Sequence, residues 1–326
     1  MRNSRAIAAG PRHSFTKRGI YETQYSNADD AEWVAALNGI AHISQGTRDD
    51  MMSESALECG EPPLDGDSYM TKEEADEGLQ AAVLEIIHER ILLLGAEGYP
   101  FELQSNSLVF TGEENNPYLA LLTLCKLPSV TKSPYNVAPQ AFEYLSLIAA
   151  KTYLGKNANG WRFGWPRHNA AHIRIADAAK ELQKRAGGDI DAWHWRPVPS
   201  KPTNPSPRDL KDAGMDFVAW LPWHDLGPGQ LHLVGQCACG QDWQWKKHDL
   251  DLAALGEWMQ IPTPPPVRAL FTPRHLALPT LRDAATQAGL VFDRIRIVQS
   301  IMSDKKSLRR AKRFATGISS LGKLRA

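Results

Sequence analysis

The sequence predicts an α/β protein in which helices flank a mixed central β-sheet, preceded by a mainly helical N-terminal region. Three observations support this class. Predicted strands alternate with predicted helices from residue 141 onward. Residues 71–98 carry apolar side chains with a period near 3.6, as in an amphipathic helix. The chain has 326 residues, of which 43% are hydrophobic, and this is enough for one large core or two modest ones.

The first half of the chain divides into two predicted regions. Residues 1–30 are polar and basic, so a flexible segment is expected there, with no signal peptide or membrane anchor. Residues 31–135 are predicted to form a mainly helical domain. It contains the helix at 71–98, a short strand pair at 99–110 and a buried helix at 116–127.

The second half predicts a sheet-containing domain at 136–300 and a basic tail at 301–326. The predicted elements are helix 141–154, strand 161–165, helix 172–187, strands 215–221 and 231–239, helix 242–255, strand 267–273 and helix 280–289. Apolar strands alternating with helices favour a mixed sheet that is covered on both faces.

Asp216 and Gln236 are the two polar residues that this sheet brings together. Asp216 precedes the apolar strand that continues to Leu221, and a buried carboxylate is costly unless it is paired, capped or bound to a cation. A turn aspartate after Gly214 is the alternative interpretation. Gln236 stands late in the next strand. Since the start of one antiparallel strand lies beside the end of its neighbour, we expect both residues at one end of the sheet.

Three further charged residues are candidates for the same place. Lys246 and Lys247 follow the turn at Gly240, and either ammonium group could return over the strand ends; a solvated helix face is the alternative. Glu143 lies on the same helical stripe as Leu147 in a helix that is apolar almost all round. Its carboxylate is either stabilised by the helix dipole in the first turn or directed inward as a ligand.

This set of residues suits a hard cation. The Asp216 and Glu143 carboxylates, the Gln236 amide and the Cys237 carbonyl are oxygen ligands of the kind that Mg²⁺ (or Mn²⁺) prefers. Such an ion stabilises charge on a scissile phosphate and activates a bound water. Lys246, or with less support Lys247, would orient that water or the phosphate.

The motifs FE, FGWPR, GMD and GQCACGQDW, with the lysines that follow, resemble the PD-(D/E)XK restriction-endonuclease-like superfamily. More narrowly, they are similar to bacterial proteins of this kind found among anti-phage defence genes. That superfamily has an Asp at a strand mouth and Asp/Glu/Gln-x-Lys on the next strand, positions that Asp216 and Gln236 match. Ala238 stands at the usual lysine position, although members with the lysine on the following helix are known. The similarity covers about residues 140–275.

The resemblance implies a restriction-endonuclease-like fold and metal-dependent hydrolysis of phosphodiester bonds, with DNA as substrate, in defence against phage. It implies nucleic acid and other defence proteins as partners, with no membrane, in the cytoplasm; a homo-oligomer is compatible with it. Glu143 resembles the first-helix acid of many members, and Lys246 or Lys247 would be the displaced lysine. The alternative is a catalytically degenerate nucleic-acid-binding or assembly subunit of a defence complex.

Local basic residues would have to contact nucleic acid, because the formal net charge of the chain is zero. Arg167 and His168 follow a predicted strand, where either a phosphate contact or an ordinary loop-surface role is reasonable. Arg309 and Arg310 belong to the basic segment 303–314, which is either a solvated tail or an arm that contacts phosphates.

The cysteines allow two competing interpretations of the same segment. Four cysteines are too few for a disulfide scaffold, which fits a reducing cytoplasm. Cys237, Cys239 and neighbouring histidines such as His232 suggest zinc, but C-x-C on one strand is not the spacing of common structural sites. A nucleophilic Cys237 would need a base and an electropositive environment. Both interpretations stay open beside the one in which the cysteines are small strand residues.

Overall fold

A computed structural model describes residues 17–43, 67–164, 166, 174–187, 192–205, 214–225 and 227–323, without the side chains of 17–21 and 67–77. Its first part contains α1 (Lys17–Asn38), β1 (Ile40–His42), α2 (Asp67–Gly98), β2 (Phe101–Gln104), β3 (Ser107–Phe110) and α3 (Pro117–Lys126). Gly95 leaves helical geometry near the end of α2. The predicted helices at 71–98 and 116–127 and the strand pair at 99–110 are confirmed.

The second part contains the larger sheet and the helices around it. Its elements are α4 (Ala138–Leu154), β4 (Asn159–Arg162), α5 (Ile175–Ala186), β5 (Phe217–Leu221), β6 (Leu231–Cys237), α6 (Leu252–Gly256), β7 (Val267–Phe271), α7 (Leu278–Ala288), β8 (Leu290–Phe292), α8 (Arg294–Met302) and α9 (Lys305–Gly322). Short 3-10 helices cover Tyr135–Val137 and Trp245–His248.

The larger sheet has five strands in chain order, β4-β5-β6-β7-β8. β5 is antiparallel to β4 and β6, whereas β6, β7 and β8 run parallel. α4 packs against β4, β5 and β6. α5 shares a separate core cluster with Val218 and Val234, which alternate with the residues under α4 and so lie on the other face. The predicted α/β class with a mixed sheet is therefore confirmed, and β1, β3 and β2 form a second, small antiparallel sheet.

The N-terminal prediction needs a correction, because residues 17–30 belong to α1 rather than to a flexible segment. Ala28, Ala31 and Ala35 are buried at the three-to-four-residue spacing of one helix face. Residues 1–16 lie outside the described part of the chain. One cluster of buried apolar side chains extends from Ala28 to Leu321, so residues on both sides of the predicted boundary at 135–136 share a core.

The predicted basic tail at 301–326 also needs a correction. Residues Lys305–Gly322 form α9, which packs against α3 and α4. Ala311, Ala315 and Ile318 are fully buried, and the basic residues occupy the other side of the helix. The segment is amphipathic, and its small apolar residues, which the density of charge obscures in the sequence, anchor it to the core.

The predicted helix at 242–255 is broken. A 3-10 turn covers Trp245–His248, and α6 begins only at Leu252 because the Asp251 side chain accepts hydrogen bonds from the amides of Ala253 and Ala254. An aspartate in this role starts a new helix instead of continuing the previous one. The break matters for function because it decides where Lys246 and Lys247 lie.

A buried network of ion pairs joins α1 to α2 and α8. Arg90 lies 2.7 Å from Glu32, and Arg294 lies 2.7 Å from Asp29. Both guanidinium groups are fully buried, and Tyr118 donates a hydrogen bond to Glu32 at 2.9 Å. Because an unpaired buried charge is very unfavourable, the network fixes the N-terminal helix against the rest of the core. Among the described helices, none has the length and apolar character needed to cross a membrane.

Candidate active site

Asp216 and Gln236 lie at the same end of the sheet, as predicted. Phe217 pairs with Gly235, and the Asp216 amide donates to the Gly235 carbonyl at 2.9 Å. The Asp216 carbonyl in turn accepts the amides of Phe163 and Gly164, each at 2.7 Å. The end of β4 is thereby held beside the start of β5 and the end of β6.

The carboxylates of Asp216 and Glu143 converge on Gly164. A Cβ atom at residue 164 would lie 2.7 Å from Glu143 Oε2 and 3.1 Å from Asp216 Oδ1. Glu143 is on α4, which packs on this face of the sheet, and it is only 5% exposed. Because residue 164 has no side chain, one oxygen of each acid can approach the position that a Cβ atom would occupy.

Arg162, at the end of β4, pairs with the same glutamate. Its Nε lies 2.5 Å from Glu143 Oε2, and its guanidinium also donates to the Pro166 carbonyl at 3.0 Å. The guanidinium carbon is 5.7 Å from the centre of the Tyr144 ring. One positive charge is therefore placed beside two negative ones, so the ion pair both positions Glu143 and offsets part of the site's negative charge.

The Cys237 backbone reaches Asp216 through its amide. This N–H donates to Asp216 Oδ2 at 2.6 Å, which fixes the carboxylate so that Oδ1 faces Gly164. Cys237 belongs to the core under α4, whereas Gln236, which is 5% exposed, belongs by alternation to the opposite face with Val234. The roles predicted for the Cys237 carbonyl and the Gln236 amide as ligands stay predictions.

The two cysteines of this segment are protonated thiols. Burial raises the pKa of Cys237 well above its usual range, and the negative charges of Asp216 and Glu143 raise it further. Burial likewise raises the pKa of Cys239 to about 12, against the opposing effect of the Lys246 charge. Since the thiolate is the nucleophile, the nucleophilic interpretation of Cys237 loses support. A bound zinc ion would itself deprotonate thiol ligands, so the zinc interpretation stays a prediction.

The two lysines have different surroundings. Lys247 is buried; its ammonium lies 2.8 Å from the Asp283 carboxylate on α7 and 5.6 Å from the centre of the Trp243 ring. Lys246 is partly exposed, and its charge acts on the Cys239 thiol together with those of Asp216 and Glu143. The structure therefore commits Lys247 to α7, and the role predicted for Lys246 beside the acids stays a prediction.

The predicted nucleic-acid contacts fall in two places. Arg167 and His168 lie outside the described residues. Arg309 and Arg310 are exposed on α9, and Arg310 lines a groove between α9 and α4. Arg309 is not among the residues that line this groove.

Sequence reasoning missed Arg162 and Gly164, although both stand in the segment WRFGW. An arginine among aromatic residues of a short strand is a signal for a buried ion pair, because a buried charge needs a partner. A glycine beside it is a signal for a close approach of another group to the backbone. Neither feature shows from the sequence alone that the partner is Glu143, because the acid lies on a different element.

Comparisons with models of protein families, with curated proteins and with solved structures gave no match. Within the described ranges, no group of three or more His, Cys, Asp or Glu side chains is arranged to hold a metal ion. Two carboxylate oxygens that face one position nevertheless suit Mg²⁺, because this ion is commonly bound through one or two carboxylates and keeps several water ligands.

Proposed function

We propose that this chain is a metal-dependent nuclease that hydrolyses phosphodiester bonds in DNA. The observation that carries the proposal is the convergence of Glu143 Oε2 and Asp216 Oδ1 on the space at Gly164. Two acids that face one point, at a sheet end, are suited to a hydrated divalent cation. A mixed sheet with helices on both faces supports the restriction-endonuclease-like assignment that the sequence motifs suggest.

Asp216 and Glu143 would hold Mg²⁺ or Mn²⁺, with the Cys237 carbonyl as a further proposed ligand. The Gln236 amide would join them only around the end of the sheet, because its side chain starts on the face opposite Glu143. A bound ion of this type stabilises charge on the scissile phosphate and lowers the pKa of a coordinated water. The Cys237 amide fixes the Asp216 carboxylate, and Arg162 fixes that of Glu143. Lys246 would orient the attacking water or neutralise a phosphate oxygen.

The test is divalent-dependent cleavage by the purified full-length chain. Labelled duplex DNA, single-stranded DNA and RNA are incubated with Mg²⁺, with Mn²⁺ and with EDTA, using wild type and Asp216→Asn. We expect cleavage of DNA by wild type with either metal, and none with EDTA or by Asp216→Asn. Equal cleavage by the variant would exclude the proposed role of Asp216.

A second candidate function is a nucleic-acid-binding or assembly subunit without catalysis. It is favoured by the ion pair, because Arg162 already lies on the Glu143 oxygen that faces Gly164, and by Ala238 at the usual lysine position. This candidate predicts that wild type binds DNA and leaves it intact with every divalent ion. The anti-phage role and the partner proteins belong to both candidates and rest on the sequence resemblance.

A further inference from the structure

The groove between α9 and α4 carries a group of cations that lack acidic partners. It has a volume of about 320 Å³. The polar and aromatic residues that line it are Tyr144, Lys151, Ser307, Arg310, Arg313 and Phe314. No ion pair joins Lys151, Arg310 or Arg313 to an acid within the residues that the structure describes.

Other cations of the same region are neutralised. Lys312 lies 2.7 Å from Glu113, and Lys323 lies 2.5 Å from Glu114. Lys312 and Lys323 therefore pair with acids of the β3–α3 loop, whereas Arg310 and Arg313 line the groove beside α4. A concentration of uncompensated positive charge on one side of a helix is unfavourable by itself and becomes favourable when an anion binds.

The pKa of Lys151 reflects this concentration of positive charge. Its ammonium is half-buried, and its pKa is lowered first by burial and then by the charges of Arg310 and Lys306. Asp304 caps α9 by accepting the Ser307 amide at this end of the helix. It does not reverse the effect on Lys151, because the contributions that act on this lysine all lower its pKa.

The cations are spaced along a line. Lys306 does not line the groove, but together with Arg310 and Arg313 it follows the i, i+4, i+7 pattern of one helix face, a row that extends about 10 Å. That length corresponds to about three nucleotide steps of a duplex strand. A row of this kind suits the repeated phosphates of a polynucleotide better than a single phosphate ion.

The groove also adjoins the candidate active site. Tyr144 follows Glu143 on α4 and stacks on Phe314 of α9 with ring centres 4.7 Å apart. The Arg162 guanidinium, which pairs with Glu143, lies over the same Tyr144 ring. Tyr144 is therefore common to the groove and to the surroundings of the acids.

The geometry points to the α4–α9 groove as a binding track for the phosphate backbone of nucleic acid, with Lys151, Arg310 and Arg313 as its contacts. This inference deepens the proposed nuclease function, since the track would guide the strand towards Asp216 and Glu143. It assigns Arg310 to the track and leaves Arg309, on the neighbouring face of α9, outside it.

The test is binding of a short fluorescein-labelled DNA duplex to the full chain in EDTA, followed by anisotropy at several salt concentrations. Arg310→Gln/Arg313→Gln is compared with the matched control Lys305→Gln/Arg309→Gln, which removes the same charge from the same helix. We expect the groove variant to lose about tenfold or more in affinity and to lower the salt slope by about two, and the control to stay within about twofold. Circular dichroism verifies that both variants keep the wild-type fold.

Equal losses in the two double variants, or no loss in the groove variant, would overturn the inference. Competition by polyglutamate as effective as that by unlabelled DNA would also overturn it, because the groove would then select an acidic protein. The result can be separated from the nuclease proposal. Groove-dependent binding with no cleavage in Mg²⁺ or Mn²⁺ would support the binding track and contradict the nuclease function. Cleavage that is unchanged in the groove variant would contradict only the binding track.

Discussion

The Nε atom of Arg162 lies 2.5 Å from Oε2 of Glu143, and the two side chains are only 5% and 7% exposed. Removing one partner of such a pair leaves a buried charge uncompensated, which costs about 3–5 kcal/mol. We expect Arg162→Gln and Glu143→Gln each to lower the free energy of unfolding by about this amount. The double variant should lose less than the sum of the two, with a coupling of about 0.5–3 kcal/mol. Urea unfolding of the four proteins measures it, and strictly additive losses would disprove the pairing.

Gly164→Ala tests the space between the acids without removing any polar group. The new methyl group would lie 2.7 Å from Glu143 Oε2, so that carboxylate has to shift from its present position. The backbone tolerates alanine, because Gly164 is not among the glycines with positive φ. We expect a loss of metal-dependent cleavage of at least about tenfold, or about 1.4 kcal/mol of transition-state stabilisation.

Gly317→Ala is the control for this substitution. Gly317 lies in α9 with no atom near the position of an added Cβ, and alanine there favours the helix by about 1 kcal/mol. Cleavage by this variant should equal that of wild type. Full activity in Gly164→Ala would show that the space at Gly164 is not used in the reaction.

Lys246→Ala should lower mainly the cleavage rate, and Lys247→Ala should lower mainly the stability. Lys246 is partly exposed and is the lysine proposed to act on the water or the phosphate, so its loss is expected to lower the cleavage rate about 100-fold and to change stability by less than about 0.5 kcal/mol. Lys247→Ala removes a buried ion pair with Asp283 and should lower the free energy of unfolding by about 1–3 kcal/mol. Parallel cleavage and urea-unfolding measurements decide the assignment, and a rate loss confined to Lys247→Ala would reverse it.

Alkaline pH should lower the free energy of unfolding because of the Cys239 thiol. Its pKa is raised to about 12 in the folded chain, from 9.0 in the absence of the protein environment. Between pH 9 and pH 12 the thiol is ionised in the unfolded chain but still protonated in the folded one. The stability that this thiol contributes is therefore complete below pH 9 and is lost as the pH rises towards 12, by up to about 1.4 kcal/mol per pH unit. Cys239→Ser removes this contribution. Under reducing conditions, the difference in unfolding free energy between wild type and Cys239→Ser should shrink from pH 8 to pH 10.5; a constant difference would contradict the burial of the thiol.

The periodicity of the sequence predicts much of the fold. The apolar run from Phe217 to Leu221 is a central strand, and the alternation of strands and helices produces the mixed sheet. Helix α9 could not be predicted as a packed element, because Ala311 and Ala315 carry little hydrophobic signal beside its six basic residues. The break before α6 depends on an Asp251 side chain that caps a helix, which periodicity does not detect.

The candidate site is only partly accessible to sequence reasoning. Antiparallel pairing predicts that Asp216 and Gln236 share one sheet end, since a strand start and a neighbouring strand end are adjacent. The positions of Arg162 and Gly164 depend on how α4 crosses β4, a tertiary relationship that no local pattern encodes. For the same reason the sequence leaves Lys247 as a second candidate beside the preferred Lys246, and their separation follows from the ion pair between Lys247 and Asp283.

Mn²⁺ binding, measured by isothermal titration calorimetry on the full chain without nucleic acid, tests the central claim most directly, because it does not depend on activation by a partner. Mn²⁺ replaces Mg²⁺ at oxygen sites and binds such ligands somewhat more tightly. Wild type should bind one Mn²⁺ per chain at the pair Asp216 and Glu143, and Asp216→Asn and Glu143→Gln should each abolish that binding. If wild type takes up no Mn²⁺, or if both variants bind it as wild type does, the two carboxylates do not form a metal site.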